Sequence, residues 1–171
     1  MRNIKDQLNL SEKKILLRLD LNVPLESGKI TDTTRIDKII PTINFLLKNN
    51  TKIIILSHVG RPKGKIMSEL SLKPVCEDLK SKLSENVRLI TKNIKEIDSV
   101  DLFNSQDEKI VMLENLRFYK EEENNNSSFA KHLASLADIY VNDAFSCSHR
   151  AHASIFEITK FIPSYAGLQL N

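Results

Sequence analysis

Several stretches of this sequence collect residues suited to holding an anion. The segment LSHVGRPKGK (56–65) places His58, Arg61, two lysines and two glycines directly after the apolar run Ile53 to Leu56. Asp20 and Asn22 follow the run Ile15 to Leu19. Arg117 follows Lys109 to Leu113, and Arg150 lies in NDAFSCSHRAHAS (142–154), after Asp138 to Val141. Arg35 falls in the first turn of a helical pattern. A guanidinium is a planar fork that meets phosphate or carboxylate with two parallel bonds, each charge-assisted bond contributing about 1.5–3 kcal/mol. Asp20 and Asn22 are acceptors suited to a substrate hydroxyl, and His58 among arginines would be one more phosphate donor. Taken singly, each arginine has an ordinary structural use beside a carboxylate or in solvent, and Asp20, Asn22 and Pro24 would also make a turn. Convergence is what favours a polyanion site.

The elements that must position these residues are legible from periodicity. Ile15 to Leu19 alternates Leu17, Leu19 and Leu21 against Arg18, Asp20 and Asn22, a strand whose polar residues gather at its exit. Thr33 to Lys48 repeats apolar residues at Ile36, Ile39, Ile40, Ile43, Leu46 and Leu47, a one-sided helix capped by Asp32 or Thr33 and ended by Asn49–Asn50. Pro41 within it predicts a kink or a split. Arg35 sits at the positive end of that helix, where a cation is disfavoured by about 0.3–1 kcal/mol until an anion arrives. Thr51 to His58 is a strand apolar on both faces, as in a parallel sheet. Leu72, Val75, Cys76, Leu79 and Leu83 mark a second helix with Pro74 in its first turn, and Val87 to Ile90 a weaker strand. A helix is expected within 91–108 around Ile94, Ile97, Val100 and Leu102. Lys109 to Leu113 is a strand, Phe129 to Ala137 a helix, and Asp138 to Val141 the last strand. The acidic EEENNNSS reads as a solvated loop. The alternation predicts an α/β fold: a three-layer, Rossmann-like parallel sheet with helices on both faces, in a single domain. Its strand exits share one edge, where such sheets bind ligands.

Composition narrows the function further. The formal net charge of +3 accompanies many lysines beside Ile and Asn, and no basic and aromatic residues alternate as a base-stacking platform would require, so nucleic acid is not expected as a partner. No apolar run approaches the roughly 18 residues of a membrane span, and the first residues lack the apolar stretch of a secretory signal; the expected location is cytoplasmic. Cys76 and Cys147 are far apart and without CxxC spacing, which suggests free thiols. Neither GxGxxG nor GxxxxGK[ST] occurs among only four glycines, so a nucleotide pyrophosphate has no evident cradle.

The segments RLDLNVP (18–24), ITDTTRI (30–36), LSHVGRPKG (56–64), SLKPV (71–75), LENLRFYKEEE (113–123), NDAFSCSHRAHAS (142–154) and PSYAG (163–167) closely resemble phosphoglycerate kinase, in that family's order and spacing. The resemblance covers essentially the whole chain and matches the family's N-terminal, phosphoglycerate-binding domain, here residues 1–171. The family's C-terminal nucleotide-binding domain has no counterpart in these residues. One departure is local: the family usually reads closer to NDAFGTAHRAHAS, and here Ser146, Cys147 and Ser148 replace the small residues before His149.

The resemblance implies roles residue by residue. Asp20 and Asn22 would contact the hydroxyl and carboxylate end of 3-phosphoglycerate, while His58, Arg61, Arg117 and Arg150 hold its phosphate. Arg35 would be the catalytic arginine, stabilising charge on the phosphoryl group in transit between 1,3-bisphosphoglycerate and ADP. Mg-ATP or Mg-ADP would be bound by the C-terminal domain, with no cofactor expected on this chain. The chain is expected to be a monomer and inactive alone. The rival expectation is a non-catalytic binding module for a small phosphorylated acid. Lys63 and Lys65 read as solvated charges, and Cys147 as either an exposed thiol near the site or an inert loop cysteine.

Overall fold

A computed structural model describes residues 1–170. Six parallel strands form the central sheet: β1 (Lys14–Leu19), β4 (Lys52–Leu56), β5 (Val87–Ile90), β6 (Ile110–Leu113), β7 (Ile139–Asp143) and β8 (Ser164–Ala166). A two-stranded hairpin, β2 (Leu25–Glu26) with β3 (Lys29–Ile30), stands apart from it; its turn places Ser27 and Gly28 both at positive φ, as a two-residue hairpin loop demands. The helices are α1 (Thr34–Lys48), α2 (Lys73–Leu83), α3 (Lys120–Glu123) and α4 (Ser127–Ala134). The sheet runs in the order β5-β6-β4-β1-β7-β8. Chain growth first moves away from β1 through β4 and then returns to add β7 on its other side, so β1 lies at the centre of a topological switch.

Alternate residues of each strand feed two cores, as the pleat requires. Ile15, Leu17, Ile53, Ile55, Met112 and Val141 face α1 and α2, meeting Ile36, Ile43, Leu46, Val75 and Leu79. Leu16, Ile54, Leu56, Val111, Leu113 and Tyr140 face the opposite layer, meeting Phe129 and Leu133 of α4 and Ile94 and Leu102 of the β5–β6 connection. With roughly 1.5–3 kcal/mol for each large apolar side chain buried, both faces drive the sheet together, which confirms the expected three-layer α/β architecture.

Several local expectations need revision. The EEENNNSS stretch is not a solvated loop: its three glutamates belong to α3, Glu122 is fully buried, and its two serines open α4. Pro41 does not split α1, which runs unbroken from Thr34 to Lys48. Pro41 is on the exposed face, and so is Asp37, whose carbonyl lacks the amide partner a proline cannot supply; water can reach it there. Residues 91–108 hold no α-helix, only single 3-10 turns at Ile94–Glu96 and Ser99–Asp101. Asn93 accepts the amide of Lys95 and ends regular winding before it starts, and Val100 points into solvent while Ile94, Ile97 and Leu102 are buried. The sixth strand, β8, escaped notice because three residues carry too little periodicity to read. Of the two candidate caps of α1, Thr33 occupies the N-cap position without a side-chain bond, while Asp32 accepts the Thr34 amide at 2.9 Å. The expected end of α1 does hold, with Asn50 in the left-handed region at φ 56°.

Candidate functional site

The exits of β6, β4, β1 and β7 are neighbours along one edge, and the loops that leave them are tied into one body by buried polar bonds. Ser57 Oγ donates to Leu19 O at 2.8 Å and accepts the Leu21 amide at 3.1 Å, joining the β4 exit to that of β1. Asn22 Oδ1 accepts the Gly60 amide at 2.9 Å, which holds the two loops at a fixed separation. Asn115 is fully buried and acts as a clamp. Its amide donates to Val59 O and Leu70 O at 2.8 and 2.9 Å, while its oxygen accepts the Arg117 amide at 3.0 Å. Gly64 then donates its amide to Arg117 O at 2.9 Å. Its φ of 78°, with the Lys120 backbone 3.3 Å from where a Cβ would lie, leaves room for glycine alone.

These ties produce a cleft of about 580 Å³ lined by all seven residues singled out from the sequence: Asp20, Asn22, Arg35, His58, Arg61, Arg117 and Arg150. Lys63, Glu123, Ser146 and Cys147 also line it. Five cationic side chains therefore face two carboxylates, a surplus that favours a small polyanion. Arg61, Lys63 and Arg150 are exposed, whereas His58 and Arg117 are buried. Lys63 is exposed, as expected of a solvated charge, but it also lines the cleft, where its backbone turns at φ 56°. Lys65 is not among the lining residues. Of the two expectations for Cys147, the exposed thiol does not hold: the residue is 6% exposed and forms part of the cleft wall. Both cysteines are free thiols.

Arg35 does not wait for an anion to offset the helix terminus it occupies. Its guanidinium is paired with Asp20 Oδ1 at 2.8 Å, and the other oxygen of Asp20 accepts the Ser146 hydroxyl. Asp20 thus binds α1 and the β7 loop together across the mouth of the cleft. Arg117 is the opposite case. It is 8% exposed, burial depresses its pKa from the usual guanidinium value, and its Nε has no hydrogen-bond partner; Glu123 and Glu122 act on it only through space. A buried guanidinium in that condition is a strong attractor for an anion.

Beneath His58 lies a charged group that sequence reasoning left aside. Arg18 on β1 is fully buried and reaches His58 Nδ1 with Nη2 at 2.9 Å, Leu19 O with Nη1, and Ser154 Oγ with Nε at 2.9 Å. Ser154 in turn donates its amide and its hydroxyl to the two oxygens of Glu122, which is also buried. Burial raises the Glu122 carboxyl above its ordinary pKa, opposed by Arg18 and by the Ser154 bonds. Burial first, then the charges of Arg18, Arg117, His152 and Arg35, push the His58 pKa down to about 2, so this imidazole is neutral at ordinary pH. The available signal was Arg18 itself: a charge in the middle of a strand covered on both faces must have a buried partner. Nothing in the sequence pattern indicated that the partners would be His58, Ser154 and Glu122.

The family model described as phosphoglycerate kinase matches residues 4–171. The phosphoglycerate kinase of Wolbachia pipientis subsp. Culex pipiens is 54% identical over 165 residues, covering 96% of this chain and 41% of the relative. That of Bartonella bacilliformis is 48% identical over 165 residues, again 96% of this chain and 41% of the relative. The solved phosphoglycerate kinase of Coxiella burnetii superposes with a TM-score of 0.87 at 39% identity, over 98% of this chain and 42% of that one. The chain thus spans about two fifths of the length of the curated relatives it matches. In sequence and in fold alike, it belongs to the phosphoglycerate kinase family.

Proposed function

We propose that these residues form the acceptor-substrate half of a phosphoglycerate kinase, an enzyme that moves a phosphoryl group between 1,3-bisphosphoglycerate and ADP to give 3-phosphoglycerate and ATP. One observation carries the reading: seven residues from four adjacent strand exits and the first turn of α1 line one cleft with a cationic surplus. In this reading Arg61, Arg117, Arg150 and the neutral donor His58 hold the substrate phosphate. Asp20 and Asn22 take its hydroxyl and carboxylate end. A hydroxyl that bonds to Asp20 competes with the Arg35 guanidinium for the same carboxylate. Arg35 is then released toward the phosphoryl group in transit, where it neutralises developing charge. Phosphoryl transfer rests on such positioning and charge stabilisation.

The residues described do not fit a magnesium nucleotide. Among them no group of three or more His, Cys, Asp or Glu gathers as a metal site, and the glycines do not assemble into a phosphate-cradling loop. We therefore assign nucleotide binding to residues outside these 171. No helix among the described residues is long and apolar enough to cross a membrane.

Calorimetric titration of the 171-residue chain with 3-phosphoglycerate tests this assignment. Binding that Arg61→Ala and Arg117→Ala each weaken at least tenfold is expected, together with no measurable turnover of ATP and 3-phosphoglycerate. Absence of binding at millimolar ligand, or turnover near that of a full-length relative, would contradict the assignment.

A further inference from the structure

The contact between Arg18 and His58 settles a question of proton position with consequences for the cleft. A guanidinium has donors and no acceptor, so at 2.9 Å His58 Nδ1 must carry its lone pair toward Arg18. The ring is neutral, and its single proton is then on Nε2, the ring nitrogen with no protein partner, in a side chain that lines the cleft. We propose that Arg18, anchored through Ser154 by the buried Glu122, is a positioning residue that holds His58 as the Nε2–H tautomer and so presents a hydrogen-bond donor to the anion. The inference rests on the reading of the cleft as an anion site and deepens it.

The cleft without Arg18 would favour the wrong tautomer. The groups facing His58 are Arg18 from β1, Arg117 from the turn after β6, His152 from the β7 loop and Arg35 from α1. All are cations or potential cations, and no carboxylate counters them at the ring. Cations on the cleft side draw a lone pair toward themselves, so an unconstrained imidazole would place its proton on Nδ1 and turn Nε2 into an acceptor. An acceptor facing phosphate is repulsive. Protonating both nitrogens would solve this in water, but the same cations and burial oppose it. A donor bonded to Nδ1 from the protein side is the remaining solution. Arg18 supplies it with a group that does not lose its proton. Its own charge is stabilised by Glu122 through the Ser154 hydroxyl, which accepts from one and donates to the other. Tyr140 fixes the Ser154 backbone from the other side by donating its hydroxyl to Ser154 O.

The test is nitrogen-resolved NMR of the chain carrying nitrogen-15-labelled histidine, from about pH 5 to 8, with calorimetric titration of 3-phosphoglycerate across the same range. In the parent, His58 should show a lone pair on Nδ1 and a proton on Nε2 at every pH. Arg18→Met alone leaves Glu122 buried without its cation and risks unfolding, so the informative variant is Arg18→Met with Glu122→Gln, which removes both charges. That variant should shift His58 toward the Nδ1–H form and bind 3-phosphoglycerate about tenfold more weakly at pH 8, the worth of one hydrogen bond to a charged group. The change of tautomer at His58 is the readout that a merely structural loss of affinity would not move. A parent His58 protonated on Nδ1, or a folded double variant that keeps both the Nε2–H form and the parent affinity, would overturn the inference. If the tautomers behave as expected and 3-phosphoglycerate binds to neither protein, the positioning role stands and the assigned substrate falls.

Discussion

Arg117 offers a prediction in which stability and binding move in opposite directions. Arg117 as a residue is only 8% exposed and its Nε is buried and unpartnered, so the folded chain bears the cost of a buried and incompletely satisfied polar group. Such a group costs about 1–3 kcal/mol, and more when charged. Arg117→Met keeps the length of the apolar stem and removes the head. The backbone bonds of Arg117 to Asn115 and Gly64 do not depend on its side chain. The variant should therefore be more stable by about 1–3 kcal/mol. At about 2–4 °C per kcal/mol for a domain of this size, Tm rises by several degrees. The same substitution removes a charge-assisted contact of about 1.5–3 kcal/mol and weakens 3-phosphoglycerate by about 10- to 150-fold. Thermal unfolding followed by circular dichroism and calorimetric titration measure the two effects separately. A fall in Tm of several degrees would refute the reasoning, because it would mean that the guanidinium is satisfied in the ligand-free fold. A rise in Tm with unchanged affinity would remove Arg117 from the binding site.

Three other outcomes follow from the same geometry. Asn115→Ala leaves Val59 O, Leu70 O and the Arg117 amide without their buried partner, and should cost about 2–4 kcal/mol in urea unfolding; an effect below 0.5 kcal/mol would mean that the clamp is dispensable. Gly64→Ala forces a side chain into the left-handed region against the Lys120 backbone, with an expected loss of about 1–3 kcal/mol and weaker binding through Arg61, read by the same two assays. Stability should also decline through His58 as the pH is lowered. Its folded pKa of about 2 lies below the unfolded value near 6.5, so the unfolded chain binds the extra proton in that window. The contribution is complete above about pH 6.5 and declines below it by up to about 1.4 kcal/mol per pH unit. Urea unfolding at pH 7 and pH 5, compared with His58→Gln, isolates this slope from Glu122 and Asp143. Burial raises both of those carboxyls, and they act in the opposite sense. Equal slopes in parent and variant would remove His58 from the account.

Much of this fold and site could be read before any coordinates. Alternation along Ile15 to Leu21 located both the strand and its polar exit, and the doubly apolar run Ile53 to Leu56 identified a buried parallel strand. These signals are strong because strand and helix periods act on consecutive residues. The failures share a cause in the other direction. Ile94, Ile97 and Val100 have helical spacing, but a single asparagine side chain, Asn93, captures a backbone amide and stops the winding. Pro41 looked disruptive because its exposure, which makes the lost hydrogen bond tolerable, is a property of the packed helix. That Lys63 and Cys147 line the cleft was not legible, because a loop's return path depends on the loops it touches.

Residue types and local periods by themselves determined that strands and helices alternate, that both sheet faces are covered, and that Asp20, Asn22, His58, Arg61, Arg117 and Arg150 leave strands at a common edge. Only the tertiary structure decided which charge answers which. The pairing of Arg35 with Asp20, the unpartnered Nε of Arg117 and the contact of Arg18 with His58 depend on strand order and register. Period sets the face toward which a side chain points, but its neighbour across the sheet is chosen by contacts between residues distant in sequence. Arg18 and Ser154, 136 positions apart, meet because β1 and β7 lie side by side.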